Sequence, residues 1–188
     1  TAEVPLGVVY QRRGYCAINF KVYGKDAHSG VPQNGLSAIE AMAQRIVKIH
    51  ALNDYENGVT VNVGQVQGGI SPNTVAGEAT ATVSFRYWTM EQGEAMKADV
   101  ERIITETYMH NPEIDMQDRA EFTVEGFLPP MEPSDHNQIL VDTVLEEAKR
   151  LGHNVVPIAR GGGSDANFVS GSGTPTICGM GAPSEGIH

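Results

Sequence analysis

Between residues 15 and 24, apolar and polar side chains alternate. Cys16, Ile18, Phe20 and Val22 fall on one face, and Asn19 and Lys21 on the other. A period of two predicts a strand with one buried face. Gly24 to Gly35 holds turn formers and one histidine, His28. Leu36, Ile39, Ala43, Ile46 and Ile49 then recur at spacings of three and four, the period of a helix with an apolar stripe. Ser37 with Glu40 fits a capping box at its start, and Asn34 is the other candidate cap. After Asn57-Gly58, Val59, Val61 and Val63 alternate with Thr60 and Asn62 as a second strand. A turn-rich stretch, residues 67–73, leads to a long third strand. There Ala79, Ala81, Val83, Phe85 and Tyr87 oppose Thr80, Thr82, Ser84 and Arg86. Met96, Val100, Ile103 and Thr107 repeat at helical period, and Phe122 and Val124 mark a fourth strand over 120–125.

The order β-α-β-β-α-β over residues 14–125 is the split, ferredoxin-like layout. The expected fold class is α+β: a four-stranded antiparallel sheet with two helices on one face. Two helices leave the other face uncovered. That face, with its Thr, Thr, Ser and Arg, is either solvated or open to a partner or ligand.

The rest of the chain has a different texture. Pro129-Pro130 and Pro133 form a linker. A helix over 137–151 carries Val141, Val144, Ala148 and Leu151 and stops at Gly152. A short strand over 154–159 precedes Gly161-Gly162-Gly163-Ser164-Asp165, a turn into a short helix over 166–170, and another strand spans 174–178. This α/β segment has too few elements to close its own core and is expected to be incomplete.

Composition narrows the function classes. Of 188 residues, 40% are hydrophobic and 19% charged, which supplies a core and argues against disorder throughout. Thirteen Lys and Arg stand against 23 Asp and Glu, a formal charge of −10 with no basic run. Nucleic acid and anionic membranes are therefore not expected partners. No apolar stretch approaches a membrane span, and the first residues lack the apolar run of a signal peptide. Thr1 stands where an initiator methionine would, so a natural start is expected further upstream. Two cysteines, Cys16 and Cys178, make no disulfide scaffold and point to a reduced, cytoplasmic setting.

No pair among the six histidines has i, i+4 spacing, and no CxxC occurs, so spacing alone assembles no metal site. The glycine-rich turn is neither a Walker loop nor a dinucleotide fingerprint. It could bind an anion through backbone N–H groups, or serve only as a tight turn between strand and helix. Ser164 and Asp165 have no third group that marks a nucleophilic triad.

Four stretches in order carry a resemblance. They are Gly24-Lys25-Asp26-Ala27-His28-Ser29-Gly30 with Gly35-Leu36-Ser37-Ala38-Ile39; Gly68-Gly69 with Asn73-Thr74-Val75; Ser84-Phe85-Arg86-Tyr87; and Gly161 to Phe168, leading to the Gly181…His188 ending. Together they resemble the M20 zinc metallopeptidases, which include glutamate carboxypeptidases and aminoacylases, with the carboxypeptidase G2-like branch most similar. The resemblance implies a ferredoxin-like lid over 14–125. Residues 1–13 and 126–188 would then be parts of a catalytic domain that holds two zinc ions. It implies a homodimer through the lid, and hydrolysis of an amide next to a free carboxylate in a small peptide or N-acyl amino acid. His28 corresponds to the lid histidine that reaches the partner subunit's site and stabilises the oxyanion. Asn73 and Arg86 correspond to residues that hold the substrate carboxylate. Gly163 and Ser164 match a turn that touches it, and His188 matches the last metal ligand.

The His-x-Asp motif, the bridging aspartate and the Glu-Glu pair of the family are not in this sequence, so the 188 residues alone are expected to be inactive. Leu128 precedes Pro129 where glutamate-specific relatives often carry arginine. A self-standing ferredoxin-like module for dimerisation or small-ligand sensing is the alternative; such a module has no use for residues 161–165 or His188.

Overall fold

The computed structural model describes residues 6–181. In chain order the elements are β1 (Leu6–Arg12), β2 (Gly14–Tyr23), β3 (Ala27–His28), a 3-10 turn (Pro32–Asn34), α1 (Ala38–His50), β4 (Thr60–Gly68), β5 (Thr74–Val75) and β6 (Glu78–Tyr87). There follow α2 (Met90–Thr105), β7 (His110–Asn111), β8 (Met116–Gln117), β9 (Arg119–Leu128), α3 (Asp135–Arg150), β10 (Val155–Arg160) and α4 (Asp165–Gly171). The chain divides into two units. One holds Tyr15–Tyr87 and Glu91–Phe127; the other holds the residues up to Gly14, Trp88–Met90, and the residues from Leu128 onward.

The first unit is built on a four-stranded antiparallel sheet in the order β4-β6-β2-β9. Its alternating strands behave as their pattern predicts. Cys16, Ile18, Phe20 and Val22 of β2 and Ala79 to Tyr87 of β6 are buried at every second position. They form one core with Ala38, Ala41, Met42 and Ile49 of α1 and Met96, Val100, Ile103 and Ile104 of α2. Ser37 is the cap of α1, its Oγ accepting from Glu40 N–H at 3.2 Å.

The helix stripes differ from expectation. Ile39 and Ala43 are exposed, while Arg45 is fully buried. Arg45 Nε donates to Ile104 O (2.8 Å) and Nη2 to Glu106 O (2.6 Å), carbonyls at the end of α2 that lack helical partners. Asp118 balances its charge, 2.6 Å from Nη2. The contact is an ion pair, and Asp118 Oδ2 takes no hydrogen bond among the described residues. Asp118 Oδ1 also accepts from Tyr108 N–H (2.8 Å) and Met109 N–H (2.6 Å). Thr107, read from its spacing as part of α2, lies beyond the helix end and is exposed.

The other unit pairs β1 with β10 in parallel, Val9 opposite Ile158. On the other side of β1, Val9 bridges Cys178; the strand expected over 174–178 is this bridge alone. The continuous apolar run of β1 carries no alternation and gives no strand signal by period. α3 packs on β1 and β10. Among the described residues this unit buries few apolar side chains: Val8, Val9, Pro130, Met131 and Val141. Ile139, Leu151 and Phe168 stay exposed, as expected of a layer too small to close its own core. No helix among the described residues is long and apolar enough to cross a membrane.

Candidate functional site

His28 ends the two-residue strand β3, paired antiparallel with β5 so that His28 lies opposite Thr74. Ser29 N–H donates to Asn73 O at 2.9 Å, so the pairing brings His28 and Asn73 together. The loop around them is braced. Gly24 N–H donates to Gly77 O (2.7 Å), and Gly77 N–H to Asp26 Oδ1 (2.8 Å). Lys25 and Leu36 exchange both backbone bonds. Asn111 Nδ2, from the β7–β8 hairpin, holds Gln33 O (2.9 Å) and Gly35 O (2.6 Å). Gly24 and Gly35 leave no room for a side chain: a Cβ would stand 2.0 Å from Leu36 O at Gly24 and 2.8 Å from Lys25 O at Gly35.

The imidazole is exposed, and its Nδ1 accepts from Gly30 N–H at 3.0 Å. A neutral imidazole that accepts at Nδ1 carries its proton on Nε2, so the outward nitrogen is a donor. The Asn73 amide is also exposed, and Ser71 Oγ hydrogen-bonds to its Oδ1. That bond leaves the two amide N–H groups as Asn73's outward donors.

Arg86 lies elsewhere. It sits on the uncovered face of β6, opposite Thr60 of β4. The Glu78 end of that ten-residue strand meets the His28 loop, and Arg86 is one residue from the other end. At about 3.4 Å per residue, eight steps separate the two ends by about 27 Å. The fold therefore joins His28 to Asn73 and separates both from Arg86. The guanidinium of Arg86 lies over the ring of Tyr15, 5.1 Å from its centroid.

Gly163 and Ser164 sit at the start of α4. Ser164 is the cap: its Oγ accepts from Ala166 N–H (3.3 Å), and its own N–H donates to Asn167 Oδ1 (2.9 Å). Asn167, fully buried, also donates to Arg13 O (3.1 Å) and Pro129 O (2.8 Å), tying the turn to the linker. Arg12 donates to Gly162 O (2.7 Å) and to Cys178 Sγ (3.3 Å), which also meets Ser164 Oγ at 3.5 Å. Burial raises the Cys178 thiol pKa, but the hydrogen bonds from Ser164 and Arg12 and the Arg12 charge outweigh it, leaving the thiol below its ordinary value.

Sequence reasoning missed Tyr15, Arg12 and Asn167. Only Asn167 had a signal, the Ser-x-x-Asn spacing of a cap. His188 lies outside the described residues. Among the described residues, no group of three or more His, Cys, Asp or Glu could hold a metal ion.

Comparison with known proteins places these features in context. Residues 10–112 match the family model of the peptidase dimerisation domain. An uncharacterized Bacillus subtilis protein, YqjE, is 32% identical over 157 residues, 83% of this chain and 40% of that protein. Acetylornithine deacetylase of Myxococcus xanthus is 30% identical over 129 residues, 63% of this chain and 34% of the enzyme. Aminopeptidase PepT from Bacillus cereus superposes with a TM-score of 0.78 at 26% identity, over 94% of this chain and 46% of its own. The chain thus spans less than half the length of these relatives.

Proposed function

Since the chain belongs to the M20 peptidase family, we propose that the protein carrying it is a zinc-dependent hydrolase of amide bonds next to a free carboxylate. In this reading Tyr15–Tyr87 and Glu91–Phe127 form the ferredoxin-like lid, and the residues from Leu128 onward are the C-terminal part of the catalytic domain. The strand order β4-β6-β2-β9, second-third-first-fourth, supports the lid assignment. The described residues do not fit a metal site by themselves. Zinc would be held by His188 with ligands outside this sequence. Two free cysteines and an acidic surface fit a cytoplasmic enzyme.

One observation carries the reading: the placement of Arg86 against His28 and Asn73. The substrate's carboxylate lies within one residue of the scissile amide, about 3.8 Å of Cα spacing. One lid cannot reach both groups when the His28 loop and Arg86 stand at opposite ends of a stretch of β6 about 27 Å long. In a homodimer one lid supplies His28 and Asn73 while the other supplies Arg86. Arg86 forks onto the carboxylate, and an Asn73 amide N–H donates to it. His28 Nε2–H donates to the carbonyl oxygen as negative charge develops there. Gly163 and Ser164 contribute the turn beside the carboxylate.

The dimer itself has a physical motive. The edge strand β4, sequence TVNVGQVQG, has no charge along nine residues. Val66 within it is 57% exposed, and beside it Ile70 is 85% and Ile39 of α1 46% exposed. The opposite edge, β9, carries Arg119, Glu121 and Glu125. An uncharged edge invites pairing and a charged one resists it, so β4 and α1 form the interface. Kinetics on the complete enzyme test these roles. Arg86→Ala should chiefly raise KM, and His28→Ala should lower kcat about a hundred- to a thousandfold, the usual cost of one oxyanion donor. Unchanged kcat in His28→Ala removes the catalytic assignment.

A further inference from the structure

We propose that Tyr15 is a positioning residue of Arg86, helping to make it a directed carboxylate clamp. The inference rests on the reading of Arg86 as the carboxylate anchor.

β2 and β6 are neighbours in the sheet. On their uncovered faces Thr82 Oγ1 donates to Asn19 Oδ1 at 2.7 Å. Four residues along each strand, Tyr15 and Arg86 meet in the same way, ring against guanidinium at 5.1 Å. Thr60 stands opposite Arg86 on its other neighbouring strand. Tyr15 itself is half-buried on the face that the helices do not cover. The pairing is thus set by sheet register, not by a flexible loop.

A guanidinium has two different surfaces. Its flat faces take an aromatic ring, and its rim carries the N–H donors. A ring against one face holds the plane and leaves the rim to fork onto a carboxylate in two parallel bonds. A long side chain loses rotamer freedom when it binds a carboxylate. Tyr15 removes part of the loss in advance. The ring alone is needed for this; the phenol hydroxyl is not.

The test uses the 188-residue chain and its Arg86 Nε–Hε NMR signal, assigned by its loss in Arg86→Lys. The probe is N-acetylglycine, with N-acetylglycinamide as the uncharged control. The signal should lie upfield through the ring current of Tyr15, and should move with N-acetylglycine and not with the amide. Tyr15→Leu should abolish the upfield position and weaken binding about three- to tenfold, the range of an exposed to partly desolvated cation–π contact. Tyr15→Phe should keep both, a rescue that a purely structural role for the hydroxyl would not produce. Tyr15→Thr, a strand-compatible residue, provides the same comparison if Tyr15→Leu does not fold. Equal affinity in wild type, Tyr15→Leu and Tyr15→Thr overturns the inference and leaves Arg86 as the anchor. No response of the wild-type signal to N-acetylglycine overturns the anchor reading and the inference with it.

Discussion

Removing the carboxylate of Asp118 should be among the most damaging single changes in the Tyr15–Tyr87 and Glu91–Phe127 unit, although no chemical role is proposed for it. Both partners of the Arg45–Asp118 pair are fully buried. In Asp118→Ala the guanidinium of Arg45 keeps its bonds to Ile104 O, Ala41 O and Glu106 O but loses its counter-charge. The N–H groups of Tyr108 and Met109 lose their acceptor as well. Breaking a buried pair from one side costs about 3–5 kcal/mol. For a unit of this size each kcal/mol lowers Tm by about 4–8 °C, so a fall of about 15 °C or more is expected. Asp118→Asn keeps an acceptor for the two amides and loses only the charge, so it should fall between wild type and alanine. Arg45→Met with Asp118→Leu should cost less than the two single changes summed, because neither charge is then left alone. Urea denaturation followed by circular dichroism measures these five variants, the two single changes of the cycle included. An Asp118→Ala chain within about 1 kcal/mol of wild type would refute the argument that this pair ties α1 to the end of α2.

Three further predictions follow from other parts of the molecule. Burial pushes the Cys16 thiol up to about 11 while Cys178 sits below its ordinary value. At pH 8 only about one Cys16 in a thousand is thiolate, so iodoacetamide should label Cys178 and spare Cys16. Arg12→Ala should move Cys178 labelling to higher pH; mass spectrometry finding Cys16 labelled first would contradict this. Gly93 of α2 lies against Tyr87, where an alanine Cβ would stand 2.5 Å from the ring. Gly93→Ala should therefore destabilise by about 1–3 kcal/mol despite alanine's better helix propensity, and a gain in stability would show the contact is looser. Light scattering should show a dimer for the wild type and a monomer for Val66→Lys at the β4 edge. A wild type that stays monomeric at high concentration would sink the interface.

Much of the sheet was legible because its strands alternate strictly, and a buried face every second residue is a local signal. β1 was not, since its pairing with β10 joins Leu6 to Val155 and its own residues show no period. The stripe of α1 was misplaced for a different reason. Its buried positions are Ala38, Ala41, Met42, Arg45 and Ile49, and a count of apolar residues passes over an arginine in the core. Apolarity alone places Ile39 in the core, yet it faces the β4 edge, beside Gly68 and Gly69. His28, Asn73, Arg86, Gly163 and Ser164 came from the family resemblance rather than from any pattern. What no pattern carries is register: that His28 meets Asn73, that Tyr15 meets Arg86, and that a strand's length separates the two pairs.

That separation is the centre of the functional account, and a hybrid dimer tests it most directly. The complete enzyme would be prepared as His28→Ala and as Arg86→Ala, each impaired alone, then mixed under conditions where subunit exchange is verified. If each site takes Arg86 from one lid and His28 from the other, every hybrid contains one site with both residues intact and one with neither. Random exchange makes about half the dimers hybrids, so activity should recover to about a quarter of wild type on the oxyanion and carboxylate roles assigned above. If both residues served a site from the same lid, every site in the hybrid would lack one of them. Activity in the mixture no higher than the mean of the two variants would then contradict the account.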